Sequence, residues 1–355
     1  MKTNASHPLG RVLLVFMAIL ASASAVDKRC IESGGITRCW LVHVGAAAPT
    51  SGSPLVIVLP GYTSTASREF SRDGWAAKAD SEGFIAVWAE GTSKLTGASD
   101  SQPSWNAGGG CCGGSDEKNI DDVAFLKSVV ACSLSDGRVD PARVYLGGHS
   151  NGCAMAQRLA AEAPQLTAGV GCVAWYLLGK PADLTIAEPV PIMEIHGTAD
   201  LVIPYSEMNV LGKIPSPGAL ENIETWARLN GCTGGFNTTS VAATDSALGY
   251  EVRKYLSCSG GAEVQLVTLK EGDHSPMGDP EVVPSTSDWA WGFVSRFSKP
   301  GGGAGVPAVA GECPAVTEEK GFDTSSGMAL TSGDGEEVSD GKDIGEGGKQ
   351  ASGAA

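Results

Sequence analysis

Positive charge is in short supply: 25 Lys and Arg stand against 40 Asp and Glu, a formal charge of −15 at pH 7. Phosphate backbones would be repelled, so nucleic acid is excluded as a partner. Long apolar runs are as scarce. After the first 25 residues no segment is long and apolar enough to span a bilayer. Histidine is rarer still, with five in 355 residues, and that scarcity lets a catalytic base be found by elimination. Aromatics make up only 6%, which, with 42% hydrophobic residues, still suits an ordinary soluble globule. Metal-ligand patterns are also missing. The adjacent Cys111-Cys112 pair is not C-x-x-C spacing, and no cluster supplies companion histidines, so no metal is expected.

Cysteine itself is plentiful, at ten residues, which fits an oxidising compartment. The N-terminus points the same way. Lys2 and Arg11 precede an apolar run at 12–20, and Ala23-Ser24-Ala25 follows. That order is what a signal peptidase reads, and the run is too short to be a membrane anchor. Residues 1–25 are therefore expected to be a signal peptide and the mature chain to be secreted, with no membrane contact after signal removal. Cys30 and Cys39 flank a Gly-Gly turn and could staple a first hairpin; Cys232 and Cys258 bracket a polar insertion and could pair. The other six cysteines cannot be paired from spacing. Asn237-Thr238-Thr239 is an N-glycosylation sequon.

Between about residues 36 and 298, apolar β-rich runs alternate with helical patterns, the signature of a mostly parallel sheet flanked by helices. Strands are expected at 38–44 (antiparallel), 55–59, 84–88, 144–146, 169–174, 192–195 and, last, 264–269. Helices are expected at 121–130, 153–163, 222–229 and 287–297. From residue 300 the chain is rich in Gly, Ser, Ala and acids and poor in large apolar side chains. Such a stretch cannot bury enough surface to offset its ordering entropy, so 300–355 is read as a disordered tail behind a catalytic domain at 26–299.

The strongest local signal is Gly148-His149-Ser150-Asn151-Gly152, between an apolar strand and an Ala-rich helix. A G-x-S-x-G nucleophile elbow requires this strand–turn–helix context, because the serine must sit on a tight turn with its hydroxyl clear of the sheet. The α/β-hydrolase fold follows, with Ser150 as nucleophile. Serine needs a base and an orienting acid. His7 leaves with the signal, His43 lies too early, His149 adjoins Ser150 where successive side chains point apart, and His196 ends a strand. His274, in the polar loop after the last strand, is where this fold puts its base. Asp200, just past the strand at 191–195, is the expected acid; Asp183 is the rival, without a preceding strand. Two amides should hold the oxyanion: Asn151, directly after the nucleophile, and Tyr62, after Pro60-Gly61.

Three further features have competing readings. Trp105 could stack on an aromatic or sugar ring or serve as a structural tryptophan. Asp121 and Asp122 could pair as catalytic carboxylates, but they sit at a helix start where acids meet the helix dipole. Cys153 could offer thiol chemistry, but the elbow presents Ser150 and leaves Cys153 to the core or to a disulfide.

Several stretches together resemble the extracellular esterases that include feruloyl esterases and polyhydroxybutyrate depolymerases. They are Pro54-Leu55-Val56-Ile57-Val58-Leu59-Pro60-Gly61, Gly83-Phe84-Ile85-Ala86-Val87, Ser104-Trp105-Asn106-Ala107-Gly108-Gly109-Gly110-Cys111-Cys112-Gly113, Asp121-Asp122-Val123-Ala124-Phe125-Leu126, Val139-Asp140-Pro141-Ala142-Arg143-Val144-Tyr145, the elbow, and His196-Gly197-Thr198-Ala199-Asp200. The resemblance implies a Ser-Asp-His triad, which lands on Ser150, Asp200 and His274. It implies ester hydrolysis without a cofactor, on plant cell-wall polysaccharide esters or, alternatively, on polyesters. Two departures stand out: Pro60-Gly61 replaces the usual His-Gly of the oxyanion loop, and Pro276-Met277 replaces the Trp-Pro that usually follows the catalytic histidine. Two other functions on this fold remain. A serine peptidase would use the same three residues but usually carries a propeller or cap. A non-catalytic binding protein would have no need of an intact Ser, Asp and His.

Overall fold

The computed structural model describes residues 26–178, 184–210 and 214–299, together with Gly301 and Cys313. The expected signal peptide, the rival Asp183 and all of the expected tail except Gly301 and Cys313 lie outside the described residues.

A single twisted sheet carries the fold. In chain order its strands are β1 (Asp27–Ser33), β2 (Ile36–Val44), β3 (Ser53–Leu59), β4 (Ile85–Ala89), β5 (Val139–His149), β6 (Gly169–Val173) and β7 (Ile192–Gly197). A short ribbon of β8 (Met208–Val210) and β9 (Ile214–Ser216) follows, and then the sheet resumes with β10 (Phe236–Val241), β11 (Tyr250–Tyr255) and β12 (Val264–Leu269). The spatial order is β1-β2-β4-β3-β5-β6-β7-β12-β11-β10. The central six, β4-β3-β5-β6-β7-β12, are parallel throughout, and antiparallel strands flank them at both ends.

The helices are α1 (Ala66–Arg72), α2 (Trp75–Glu82), α3 (Gly113–Glu117), α4 (Asp122–Ser135), α5 (Asn151–Glu162), α6 (Gly218–Leu229) and α7 (Thr286–Val294). They cover both faces of the sheet, which explains the central sequences. Every residue of β3 (Ser-Pro-Leu-Val-Ile-Val-Leu) and of β4 (Ile-Ala-Val-Trp-Ala) is buried. A strand covered on both sides reads as an unbroken apolar run rather than an alternation. This is the α/β-hydrolase fold expected from the sequence.

The expected strands and the four expected helices are present with ends shifted by a few residues, and the strand at 38–44 is antiparallel as expected. Strand β1 completes the first hairpin expected around Cys30 and Cys39, whereas strands β8 to β11 and helices α1, α2 and α3 were not anticipated. Strand β10 (Phe-Asn-Thr-Thr-Ser-Val) is exposed along its whole length, so it has no apolar face to betray it. It fills, with β11, the polar insertion between Cys232 and Cys258, which are disulfide-bonded. Cys30 and Cys39 are also joined, across directly paired positions of β1 and β2. The remaining bridges are Cys111–Cys112, Cys132–Cys313 and Cys153–Cys172.

The paired acids at 121–122 are structural. Asp121 caps α4 by accepting the Ala124 amide at 2.9 Å. Asp122 is buried against Arg38 at 2.7 Å and accepts the Asn106 amide at 2.7 Å. The Arg38 guanidinium lies 4.0 Å from the Phe125 ring centre, so the pair clamps the first antiparallel strands to α4.

Candidate active site

Strand β5 ends at His149, helix α5 begins at Asn151, and Ser150 forms the turn between them at φ 52° and ψ −126°. A non-glycine residue at positive φ is sterically strained. Here it is held from both sides. The Ser150 amide donates to the Val173 carbonyl of neighbouring β6 at 2.8 Å, and the Ser150 carbonyl accepts from the Cys153 and Ala154 amides at 2.8 and 3.1 Å. Gly152 shows why the elbow needs glycine. A Cβ placed there would lie 1.9 Å from the Leu59 carbonyl oxygen, so α5 sits directly on the end of β3.

The acid and the base arrive from the ends of two adjacent parallel strands. Asp200 follows β7 and His274 follows β12. Gly197 makes their loops touch: a Cβ there would fall 2.0 Å from the Gly272 carbonyl oxygen. Ala199 N–H donates to that same carbonyl at 2.9 Å, and the Glu271 amide donates to Thr198 Oγ1 at 2.9 Å.

The three expected residues therefore meet. Ser150 Oγ lies 3.0 Å from His274 Nε2, and His274 Nδ1 lies 2.8 Å from Asp200 Oδ2. Asp200 Oδ1 accepts the amides of Val202 and Ile203 at 2.9 and 2.7 Å. Burial alone would push the Asp200 carboxyl up, but hydrogen bonds from His196 and His274 and from the Ile203 amide hold it well below the usual carboxylate range. It is thus an anion at neutral pH, able to orient the imidazole and stabilise an imidazolium.

Of the two residues expected to supply oxyanion amides, Asn151 directly follows Ser150 and Tyr62 lines the pocket. As the first residue of α5, Asn151 has an amide with no acceptor inside its own helix. The Tyr62 amide meets no backbone acceptor among the described residues. Its ring lines the pocket, and its hydroxyl donates to Asp100. The Pro60 carbonyl accepts Trp105 Nε1–H at 2.9 Å.

Trp105 is where the sequence reading needs correcting as a substrate contact. It is wholly buried and stacks on Phe125 at 6.4 Å between ring centres. Its backbone is gripped by the Asn151 side chain, with Trp105 N–H donating to Oδ1 at 2.8 Å and Nδ2 donating to the Trp105 carbonyl at 3.1 Å. An indole N–H that finds a backbone acceptor can be buried fully, and this one braces the oxyanion loop from below. Cys153 is likewise committed to its disulfide.

His149 also departs from expectation. Its ring does not turn away from the site but packs against His274, with 4.9 Å between ring centres. Its Nε2–H donates to the His274 carbonyl at 2.7 Å, while Arg72 Nη2 approaches Nδ1 at 3.5 Å. Burial, reinforced by the nearby His274, lowers its pKa to about 4. Beneath Asp200 lies a second pair missed by sequence reasoning. The rings of His196 and the carboxylate of Glu194 are both inaccessible and 2.8 Å apart. The signal for it was present: residues i and i+2 of a strand share a face.

The site opens into a pocket of about 340 Å³ whose lining includes the apolar Tyr62, Cys112, Trp175, Val202 and Ile203 and the polar Thr63, Ser64, Arg68 and Arg72. Among the described residues no group of three or more His, Cys, Asp or Glu is arranged to hold a metal.

A phospholipase/carboxylesterase family model matches residues 48–216. Feruloyl esterase B of Piromyces equi is 30% identical over 255 residues, covering 70% of this chain and 43% of that protein. Poly(3-hydroxyalkanoate) depolymerase C of Paucimonas lemoignei is 24% identical over 318 residues, 79% of this chain and 70% of that one. An acetyl xylan esterase from Aspergillus awamori superposes with a TM-score of 0.51 at 14% identity, covering 76% of this chain and 99% of its own, and so shares the fold. The chain is an α/β-hydrolase. It is similar to feruloyl esterase B and to poly(3-hydroxyalkanoate) depolymerase C, and it spans about half the length of relatives such as feruloyl esterase B.

Proposed function

We propose that this chain is a secreted serine carboxyl-ester hydrolase, feruloyl esterase-like, acting on polysaccharide-linked or polymeric esters. The observation that carries the reading is the alignment Ser150 Oγ–His274 Nε2–Asp200 Oδ2, at 3.0 and 2.8 Å. His274 takes the Ser150 proton as Oγ attacks the ester carbonyl carbon. The carbonyl oxygen becomes an oxyanion held by the Asn151 and Tyr62 amides; an oxyanion donor of this kind contributes roughly 10²–10³ in rate. Collapse of the tetrahedral intermediate breaks the ester C–O bond, and His274 protonates the departing alcohol. Water, deprotonated by His274, then attacks the acyl-enzyme. Ser150 leaves with its proton restored, and the carboxylic acid is released. No cofactor enters these steps.

A polymeric substrate is supported by the rim. Leu201 and Val202, on the acid loop, are 94% and 52% exposed, which suits contact with an apolar chain or surface beyond the pocket. The likeness to poly(3-hydroxyalkanoate) depolymerase C, over 79% of this chain, supports polyester hydrolysis as the second reading. Secretion rests on the signal-like N-terminus and the five disulfides. No helix among the described residues is long and apolar enough to cross a membrane. Asn237, on the exposed strand β10, would be open to glycosylation.

The deciding assay is hydrolysis of a short-chain p-nitrophenyl ester and of methyl ferulate by wild type, Ser150→Ala and Asp200→Asn. Ser150→Ala should abolish turnover of both, and Asp200→Asn should lower kcat by roughly 10³–10⁴ with little change in fold. Activity on the p-nitrophenyl ester alone would favour aliphatic polyesters. Full activity in Ser150→Ala would sink the mechanism.

A further inference from the structure

The pocket mouth carries a feature that the hydrolytic steps do not use. Its lining includes Ser64, from the segment 61–64, and Arg68 and Arg72 of helix α1. Among the described residues no carboxylate lines this pocket, although the whole chain carries −15. The two arginines differ in state. Arg72 is committed: its Nε and Nη2 donate to both oxygens of Glu69 at 3.1 and 2.8 Å. Arg68 has no ion-pair partner among the described residues. Four residues before it, Ser64 is only 6% exposed, and its hydroxyl is buried without a hydrogen-bond partner. A buried hydroxyl left unpaired is unfavourable, and here it lines the same pocket as the exposed, unpaired Arg68 guanidinium.

We infer, resting on the esterase reading, that the pocket selects esters whose substrate bears a free carboxylate, held by the Arg68 guanidinium with the Ser64 hydroxyl as second donor. A neutral substrate offers the Arg68 guanidinium no partner and leaves it to water. A substrate carboxylate restores both the charge balance and the missing partner of Ser64, through the charge-assisted geometry that arginine favours. Two sources share this chemistry. The carboxylate can sit on the acyl side, as in a diacid monoester, or on the alcohol side, as at the free-acid end of a hydroxy-acid oligomer.

The test compares kcat/KM on matched pairs for wild type, Arg68→Gln and Arg68→Lys. The acyl-side pair is p-nitrophenyl hydrogen adipate and p-nitrophenyl hexanoate; the alcohol-side pair is the free-acid hydroxybutyrate dimer and its primary amide. Arg68→Gln should lower kcat/KM on the carboxylate member of one pair by about five- to tenfold, a range set by an exposed charge-assisted contact. It should leave the neutral member within about twofold, and Arg68→Lys should recover most of the loss. The pair that responds identifies the source. Hydrolysis of the neutral esters with an acid-to-neutral ratio identical in wild type and Arg68→Gln, in both pairs, would overturn the inference while leaving the esterase reading intact. Calorimetric titration of the Ser150→Ala protein with adipate and with the free-acid dimer reads the same contact without turnover. Binding that Arg68→Gln does not weaken would overturn the inference even if no ester were hydrolysed.

Discussion

His149 and His274 are joined by a hydrogen bond that has nothing to do with proton transfer: Nε2–H of one imidazole donates to the main-chain carbonyl of the other residue at 2.7 Å. Ser150 and its proposed base are thereby tied twice, once through the catalytic contact and once through the residue just before the nucleophile. The bond requires a neutral His149 with its proton on Nε2, the form that burial favours by lowering its pKa to about 4. An unfolded histidine titrates near 6.5. Between those values the unfolded chain binds the extra proton, so stability is full above about pH 6.5 and is lost as pH falls toward 4.

The expected contribution across that window is about 2–4 kcal/mol at 1.36 kcal/mol per pKa unit. Urea unfolding midpoints of the disulfide-intact protein should fall steeply between pH 6.5 and 4, and His149→Gln should flatten that fall. The variant should also lower kcat, because the His274 loop loses an anchor. A His149→Gln protein with the wild-type acid slope would show that this ring is not the group responsible.

The elbow makes a steric prediction. Because a Cβ on Gly152 would stand 1.9 Å from the Leu59 carbonyl oxygen, Gly152→Ala must push α5 off β3 or break the turn at Ser150. Backbone against backbone has no rotamer through which to relax, and overpacking of this kind costs about 1–3 kcal/mol or more. The expected result is a lowered thermal midpoint together with a large loss of kcat. Ala154→Gly, two residues further on in the same helix, serves as the comparison: it should cost about 1 kcal/mol of helix propensity and retain activity. Gly152→Ala behaving no worse than Ala154→Gly would contradict the close approach.

How much of this was open to sequence reading depended on whether the signal was local. The unbroken apolar run of β3, the glycines around Ser150 and the position of His274 after the last central strand are written in short stretches, and these place the fold and bring the candidate triad together. Trp105 could not be assigned that way. A tryptophan in a glycine-rich loop looks available to a ligand until Pro60 and Asn151, 45 and 46 residues away in sequence, are seen to close on it. Strand β10 was invisible because its side chains face solvent on both sides. His149 was set aside on the rule that neighbours at a tight turn diverge. Its side chain does leave Ser150, but it meets the loop that carries His274, 125 residues on.

Glu194 and His196 form the foundation of the acid loop and supply the last prediction. His196 Nε2 lies 2.8 Å from the Ile203 carbonyl, which can only accept, so Nε2 carries a hydrogen. Nδ1 lies 2.8 Å from Glu194 Oε1, and a second proton occupies that contact. Asn222 Nδ2 fixes the other Glu194 oxygen at 2.5 Å, and the His196 ring stacks on Tyr176. By holding Ile203, the pair shapes the turn whose Val202 and Ile203 amides clasp Asp200. Burial would lower the His196 pKa, but its bonds to Asp200 and Glu194 outweigh that and raise it to about 9; burial also raises the Glu194 carboxyl. The His196 shift makes the folded state the better proton binder, so the stability it confers is present below the unfolded histidine value of about 6.5 and is lost as pH rises through about 9. Glu194→Gln removes the ion pair while keeping the shape. Its urea midpoint should therefore vary less than that of wild type between pH 6.5 and 9.5. Because Asp200 is then less firmly oriented, kcat should fall by about tenfold with KM little changed. A variant that loses stability equally at every pH and keeps the wild-type kcat would mean that Glu194 merely fills space beneath the site.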